Sequence, residues 1–188
     1  MSLTCLLCLN EIEQSFRKDI VICRTCFEFQ AASEKAFFSK QTFLPADRIF
    51  KNIFVGPARS ALNAEWLRQN NIDRILIAAE FCDFLLNPSE FDHLKLNIDD
   101  SPQENIRQYF EAAFDFIRKN PNTNVLIHCM SGISRSGTLA IAYIMLEQRV
   151  SYETALATAR AARPCIHPNS GFQKQLLEFE KEMNPSPL

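Results

Sequence analysis

The sequence predicts an α/β fold, with a central, mainly parallel sheet flanked by helices, and a small cysteine-rich module in front of it. Residues 75–79 form a continuous apolar run, which is typical of a strand covered on both faces. From residue 47 onward, strand-like segments alternate with segments whose apolar residues have helical spacing. This alternation favours parallel pairing, because a helix supplies the crossover that two parallel strands require.

Each predicted element has its own place in this alternation. We predict strands at residues 49–55, 75–79, 94–98 and 124–127. The first of them ends at Gly56-Pro57, a pair that interrupts strand pairing. We predict helices at residues 59–69, 104–119, 136–148, 152–162 and 170–183. Asn169 is the predicted N-cap of the last helix.

The composition limits the classes of function. The chain has 188 residues, 47% of them hydrophobic and 22% charged, with a formal net charge of -2. This charge provides no global attraction for nucleic acid or an anionic membrane, so any affinity for an anionic substrate must be local. Residues 1–9 lack the basic start of a secretory signal, and no apolar run approaches the roughly 20 residues of a membrane span. We therefore expect a cytoplasmic protein, with the nucleus as the alternative compartment.

Cysteine spacing sets the N-terminal region apart. Four of the seven cysteines form two C-x2-C pairs separated by 14 residues, at positions Cys5, Cys8, Cys23 and Cys26. Two such pairs can supply four thiolates to one tetrahedral Zn²⁺, which predicts a zinc-ribbon or treble-clef module at residues 1–32. A connector at residues 33–46 and the α/β domain at residues 47–185 follow. The alternatives are a redox C-x2-C or scattered thiols. Docking a protein partner or stabilising the following domain suits the module's mixed charges better than binding nucleic acid.

The segment from His128 to Thr138 carries the chemistry. A predicted strand leads into it and a predicted helix leads out, so several backbone N–H groups of the turn can converge on one anion. Cys129 and Arg135 bracket five residues, a spacing that lets the thiol and the guanidinium face one pocket. The predicted phosphate-binding residues are Met130, Ser131, Gly132, Ile133, Ser134 and Arg135. The same donors favour the thiolate of Cys129, which makes it a nucleophile at neutral pH.

This segment resembles the dual-specificity branch of the cysteine-based protein tyrosine phosphatase superfamily. The family signature His-Cys-x5-Arg-Ser/Thr is matched at every position, and Gly132 to Ser136 is especially similar to the dual-specificity group. The resemblance extends over about residues 47–184 and includes Arg163-Pro164 and Pro168-Asn169-Ser170-Gly171-Phe172. It implies hydrolysis of phosphotyrosine and phosphoserine or phosphothreonine through a phosphocysteine, with no metal needed for catalysis and phosphoproteins as substrates.

The resemblance also implies roles for residues around the loop. Its general acid lies at the end of a strand about thirty residues before the nucleophile, where this chain has Asp99 and Asp100. Asp100-Ser101-Pro102 is similar to some atypical members, so Asp100 is the predicted acid and base, and Asp99 is the alternative. Ser136 is expected to donate a hydrogen bond to the departing thiolate. His128 is expected to hydrogen-bond around the loop, and Asn169 to hold the loop from the side.

Other interpretations of the loop stay open at this point. They are a buried cysteine beside a surface arginine, a rhodanese-like sulfurtransferase, a phosphatase of phosphoinositides or RNA 5′ ends, and a catalytically silent phospho-binding adaptor. The inner loop residues 130–134 carry no charge, which favours a mono-phosphorylated group. For Cys82 and Cys165 we expect core packing. A disulfide between Cys82 and oxidised Cys129 is the alternative role for Cys82.

Overall fold

The computed structural model describes residues 3–4, 11–12, 45–80 and 90–183 of the chain. The chain divides into two compact units, residues 1–42 and residues 43–188. In the first unit, the short strands β1 (Leu3–Thr4) and β2 (Glu11–Ile12) pair antiparallel. The predicted zinc ligands Cys5, Cys8, Cys23 and Cys26 and the predicted connector up to residue 44 lie outside the described residues.

The second unit contains a mixed sheet that is mainly parallel, as predicted. The strands in its described part are β3 (Asp47–Phe50), β4 (Ile53–Pro57), β5 (Ile72–Ala78), β6 (Asp92–Leu96) and β7 (Asn124–Cys129). Their spatial order is β3-β4-β7-β5-β6. Only the edge pair β3–β4 is antiparallel among these neighbours. The carboxyl ends of the other strands therefore meet at one edge of the sheet, where ligands bind in folds of this type.

Helices cover both faces of this sheet. The α-helices are α1 (Ala64–Gln69), α2 (Phe110–Arg118), α3 (Arg135–Gln148), α4 (Tyr152–Ala162) and α5 (Ser170–Met183). Short 3-10 helices occupy Ala58–Leu62 and Ile106–Tyr109. Side chains of one strand alternate between two buried clusters: Val125 and Ile127 pack with α2 to α5, whereas Leu126 packs with Leu67 of α1. Both faces of the central strands are thus buried, which explains their continuous apolar runs.

The strand predicted at residues 94–98 lies two residues earlier, as β6. Three other predicted elements differ from the structure in kind. The strand expected at residues 49–55 is a hairpin, because Lys51 adopts a positive φ of 42° and reverses the chain between β3 and β4. The helix expected at residues 59–69 is interrupted at Asn63, whose side chain accepts a hydrogen bond from Trp66 N and caps α1. The helix expected at residues 104–119 begins as a 3-10 turn and continues as α2.

The C-terminal predictions are confirmed. Strand β7 begins at Asn124, and helices α3, α4 and α5 lie where the sequence predicts them. The Asn169 side chain accepts a hydrogen bond from Phe172 N at 3.0 Å, which confirms it as the cap of α5. Among the described residues, no helix is both long and apolar enough to cross a membrane.

Candidate active site

The predicted loop lies at the carboxyl edge of the sheet. Strand β7 ends at Cys129, and α3 begins at Arg135, so residues 130–134 form the turn between them. Cys129 pairs with Pro57, the last residue of β4, and Ile77 near the end of β5 pairs with His128. The turn therefore sits in the crevice that the parallel strands and the N-terminus of α3 create together.

All five carbonyl oxygens of the turn are bonded to the surrounding scaffold. Ala58 N donates to the Met130 carbonyl, and His167 N donates to the Ile133 carbonyl. Arg163 donates to the two carbonyls between them, from Nη2 to Ser131 and from Nε to Gly132. The Ser134 carbonyl accepts from both the N–H and the hydroxyl of Thr138. In a trans peptide the following N–H points away from its carbonyl. Carbonyls held on the outside thus turn the next N–H groups towards the inside of the loop. This arrangement is a nest of positive partial charge suited to one oxyanion.

Gly132 is required by the path of this turn. Its φ is +70°, a conformation that residues with a side chain rarely adopt. A Cβ atom at this position would lie 2.4 Å from the carbonyl carbon of Gly56. The close approach of the turn to the end of β4 therefore admits only glycine.

Cys129 has the surroundings of an activated nucleophile. Its side chain is buried, with Sγ 3.2 Å from Ser136 Oγ and accepting a hydrogen bond from Gly132 N at 3.3 Å. Burial opposes ionisation, but the Ser136 hydroxyl and N–H, the Arg135 charge and the Gly132 N–H together lower the pKa of the Cys129 thiol. The loop thus favours the thiolate of the buried Cys129, as the sequence predicts.

Arg135 is mostly buried beside the loop, next to Asp100. Its Nη1 donates to the Ile98 carbonyl at 3.2 Å, and its Nε lies 3.6 Å from Oδ2 of Asp100. That Nε is buried and makes no hydrogen bond within the described residues. A buried guanidinium N–H that makes an ion pair but no hydrogen bond favours binding of an anion, because a phosphate oxygen could accept from it.

The structure brings Asp100, and not Asp99, into contact with the loop. Asp100 Oδ1 accepts hydrogen bonds from Ser134 Oγ at 2.7 Å and from Asn169 Nδ2 at 3.0 Å. Asp99 is exposed and forms no side-chain hydrogen bond or ion pair with the rest of the described chain. The placement of Asp100 over the loop suits a proton donor at its mouth.

Two residues of the site carry contacts that sequence reasoning missed. Ser134 links three segments, since its Oγ donates to Asp100 and accepts from Asn169 N at 3.1 Å. Arg163 follows α4 and bonds two loop carbonyls and the Asp47 carboxylate. The Arg163-Pro164 motif draws attention to this position, but no sequence signal connects it to Asp47, 116 residues earlier.

One expectation is wrong: Cys165, which we expect in the core, is exposed because it lies in the turn between α4 and α5. The His128 ring is buried, and neither of its nitrogens makes a hydrogen bond of normal geometry within the described part of the chain. The Cys129 backbone nevertheless acts on the ring and favours its protonated form, so the predicted contact between His128 and the loop stays a prediction. The suggested disulfide partner Cys82 lies outside the described residues, and within them no cluster of three metal-ligating side chains occurs.

Comparisons with known proteins agree with this site. Residues 53–182 match the family model for the dual specificity phosphatase catalytic domain. Human dual specificity protein phosphatase 22 is 37% identical over 72% of this chain and 73% of its own length. The Dictyostelium discoideum MAP kinase phosphatase with leucine-rich repeats protein 1 is 39% identical over 84% of this chain, but the aligned part spans only 18% of that protein.

A solved structure extends the likeness to three dimensions. The crystal structure of the human tyrosine phosphatase-like serine/threonine/tyrosine-interacting protein superposes with a TM-score of 0.69 at 35% identity. The superposition covers 73% of this chain and 97% of the human one. Together with the loop geometry, these matches establish that the chain belongs to the dual-specificity phosphatase catalytic-domain family.

Proposed function

We propose that this chain is a protein phosphatase that hydrolyses phosphotyrosine and phosphoserine or phosphothreonine through a phosphocysteine at Cys129. The observation that carries the proposal is the turn at residues 130–134, whose carbonyls are all bonded outward around a buried, ionisable thiol. Such a nest holds the equatorial oxygens of a phosphoryl group while sulfur approaches phosphorus in line with the leaving oxygen.

In the first step, the Cys129 thiolate forms the S–P bond and the P–O bond to the substrate breaks. Asp100, held by Ser134 and Asn169, gives its proton to the leaving oxygen. In the second step, a water loses a proton to the Asp100 carboxylate and attacks phosphorus. The S–P bond breaks, inorganic phosphate leaves, and the Ser136 hydroxyl stabilises the returning thiolate. Arg135 and the loop N–H groups stabilise the phosphoryl charge in both steps.

The substrate class follows from the loop interior. Residues 130–134 carry no charged side chain, so the loop offers one phosphoryl site without extra cations for a polyanionic headgroup. This favours a mono-phosphorylated side chain over a phosphoinositide or an RNA 5′ phosphate. The Dictyostelium relative is named a MAP kinase phosphatase, so a phosphorylated MAP kinase is a substrate to test.

A phosphopeptide panel tests this function directly. The wild-type protein should release phosphate from phosphotyrosine and phosphothreonine peptides, and vanadate should inhibit the release. Cys129→Ser, assayed in parallel, serves as the blank and should show no turnover. Hydrolysis of phosphoinositides or RNA 5′ phosphate in preference to every peptide would favour the alternative substrate class. No turnover of peptides or of an aryl phosphate would favour a silent adaptor and reject the proposal.

The proposed acid is tested by substrates with different leaving groups. Asp100→Asn should lower kcat about 100-fold for phenyl phosphate, because phenoxide needs a proton as it leaves. The same change should have a small effect on an activated aryl ester, whose leaving group departs without one. Asp99→Asn is the matched control, one residue away and also exposed. If Asp99→Asn shows the larger leaving-group dependence, the roles are reversed.

We also propose that Cys5, Cys8, Cys23 and Cys26 bind one structural Zn²⁺. The support is their spacing alone, since these residues lie outside the described part of the chain. The N-terminal unit would then present a surface for a protein partner. Metal analysis of the purified protein should find about one zinc per chain, and a Cys5→Ser, Cys8→Ser double variant should lose it. A wild-type zinc content below about half an equivalent would reject the site.

A reducing compartment suits the proposed chemistry. The nucleophile must remain a thiolate, and free thiols persist in the cytoplasm or nucleus. We propose a cytoplasmic location on this basis, with the nucleus as the alternative. Fractionation of cells that express the tagged chain would test it.

A further inference from the structure

Arg163 makes hydrogen bonds to the phosphate-binding turn, but the mechanism proposed above gives it no role. Its side chain is only 12% exposed and follows the end of α4. Nε donates to the Gly132 carbonyl at 2.9 Å, and Nη2 donates to the Ser131 carbonyl at 3.3 Å. Nη1 donates to Asp47 Oδ2 on β3 at 2.7 Å. One planar guanidinium thus joins the edge strand to two consecutive peptide groups of the turn.

The two peptide groups are Ser131–Gly132, next to the nucleophile, and Gly132–Ile133, at the apex of the turn. The Ser131 carbonyl shares its peptide plane with the Gly132 N–H, which donates to Cys129 Sγ at 3.3 Å. The Gly132 carbonyl shares its plane with the Ile133 N–H. A hydrogen bond that holds each carbonyl outward therefore also sets the direction of an N–H that faces the anion.

Because residue 132 is a glycine, its backbone conformation needs hydrogen bonds from outside the turn to hold it. Gly132 has no side chain that limits its backbone, and its φ of +70° lies in a region that glycine enters and leaves freely. Inside the turn, Cys129 Sγ accepts a hydrogen bond from Gly132 N, but residues 130–134 carry no charged side chain that could hold the Gly132 carbonyl or the Ile133 N–H. Without Arg163, the peptide planes on both sides of Gly132 would lose their outer partners.

We infer that Arg163, oriented by Asp47, is a positioning residue that fixes the anion-binding N–H groups of Gly132 and Ile133. This inference rests on the proposed phosphatase function of the same site. Arg163 does not touch the reacting atoms, and its effect passes through the two carbonyls that it holds. The alternative is that the Asp47–Arg163 pair only braces β3 against the segment after α4, and the two roles predict different changes at Cys129.

The variants Arg163→Met, Arg163→Lys and Asp47→Asn separate these roles. The first readout is the pH dependence of Cys129 alkylation by iodoacetamide, followed for its own peptide by mass spectrometry. The second is the stabilisation of the folded protein by vanadate in thermal unfolding, which needs no turnover. The third is the split of kcat and KM on an aryl phosphate. Arg107→Met is the matched control, because Arg107 also forms a forked pair with a carboxylate, that of Glu182, but contacts none of the loop.

For Arg163→Met we expect the alkylation midpoint of Cys129 to move to higher pH and vanadate to bind about tenfold more weakly. The lysine variant should recover only part of this loss, because an ammonium lacks the fork that serves two carbonyls and a carboxylate at once. Arg107→Met should leave the alkylation midpoint and vanadate affinity at the wild-type values, whatever it does to thermal stability.

Asp47→Asn gives the sharpest comparison. By charge alone, removing a negative group near the loop would lower the alkylation midpoint and strengthen vanadate binding. If Asp47 acts by orienting Arg163, both quantities should change in the opposite direction, about two- to fivefold for vanadate.

Two results would overturn the inference. One is a folded Arg163→Met protein with wild-type alkylation and vanadate binding, and the other is full recovery by lysine together with tighter vanadate binding in Asp47→Asn. If Arg163→Met does not fold, the lysine and asparagine variants decide between the roles. Absence of turnover in the wild type would reject the phosphatase proposal. The alkylation and vanadate measurements need no turnover, so they would still test the role of Arg163.

Discussion

His128 lies directly before the nucleophile, and its burial makes the fold sensitive to acid. Burial lowers the pKa of His128 to about 4, with the Cys129 backbone acting in the opposite direction. Neither ring nitrogen makes a hydrogen bond of normal geometry in the described segments, and the effect of burial exceeds that of the Cys129 backbone, so a proton on the ring is costly in the core. The folded protein therefore keeps a neutral imidazole at pH values where the unfolded chain binds a proton.

The sign of the pH effect follows from this difference. Above the unfolded pKa of about 6.5 both states are neutral, and the full stability is present. As the pH falls from there towards 4, only the unfolded state gains the proton, so the free energy of unfolding decreases. Between pH 7 and pH 5 we expect His128 to account for about 2 kcal/mol of this decrease. Urea unfolding at both pH values, compared with His128→Gln, measures the contribution because the variant retains all carboxylates.

An independent measurement covers the case in which His128→Gln does not fold. The sequence has three histidines, and the proton resonances of His128 should show no titration above pH 5 in the folded protein. His93 and His167 are exposed and serve as internal comparisons. A His128 resonance that titrates near pH 6.5, or an equal loss of stability in both proteins, would contradict the prediction.

At the scale of elements, the site depends on how closely α5 approaches the turn that carries Asp100. Gly171 is the second residue of α5, and a Cβ atom there would lie 1.9 Å from the Pro102 carbonyl oxygen. Pro102 follows Asp100 by two residues, and Asn169, just before α5, donates to the Asp100 carboxylate. The absence of a side chain at position 171 thus permits the contact between helix and acid.

We predict that Gly171→Ala separates these two elements. The free energy of unfolding should fall by about 2 kcal/mol, because the clash is with backbone that cannot rotate away. Turnover of phenyl phosphate should fall at least about tenfold, and more than that of an activated ester, since Asp100 moves with its turn. Gly137→Ala is the comparison for stability: its Cβ would lie 2.9 Å from the Cγ2 methyl of the buried Ile166, a side-chain contact longer than the 1.9 Å backbone contact at Gly171, and a smaller loss is expected. Equal losses in the free energy of unfolding would contradict the prediction, because they would mean that α5 moves away from Pro102 without a further loss of stability.

The nucleophilic loop and the order of the elements from β5 onward were predictable because their signals are local. The His128–Ser136 motif fixes the identities and the spacing of the loop residues, and the periodicity of the last three helices reveals their bounds. The contacts that support the loop are not local: Ser134 and Asp100 are 34 residues apart, and Arg163 and Asp47 are 116 apart. A polar pair at such a separation leaves no pattern in a single sequence.

The burial of Arg74 is a second feature that the sequence pattern does not predict. This arginine lies in the apolar strand β5 and is only 2% exposed, which a strand buried on both faces does not predict for a cation. Its guanidinium donates to the carbonyls of Phe116 and Ile117 at the end of α2, each at 2.8 Å. The helix C-terminus supplies the acceptors and partial negative charge that make the buried position tolerable. Only the three-dimensional arrangement reveals these partners.

At the scale of the whole molecule, catalysis and metal binding are assigned to different units. Every group in the proposed chemistry lies in residues 43–188, and the proposed zinc ligands lie in residues 1–42. Both bond-forming steps use a thiolate, a carboxyl group, a guanidinium and water. None of these groups needs a Lewis acid to act at neutral pH, because the loop and Arg135 already stabilise the phosphoryl charge.

Chelation should therefore remove zinc without stopping the reaction. We expect the initial rate of aryl phosphate hydrolysis to be the same with and without EDTA over the first minutes, while metal analysis of the desalted protein shows zinc loss. EDTA saturated with zinc before addition controls for effects of the chelator itself. Slow loss of activity over hours, reversed by added zinc, would fit unfolding of the N-terminal unit, because a small zinc module depends on its metal for stability. An immediate loss of rate on mixing, with zinc-saturated EDTA harmless, would contradict a metal-free mechanism, because it would place a metal in the catalytic step itself.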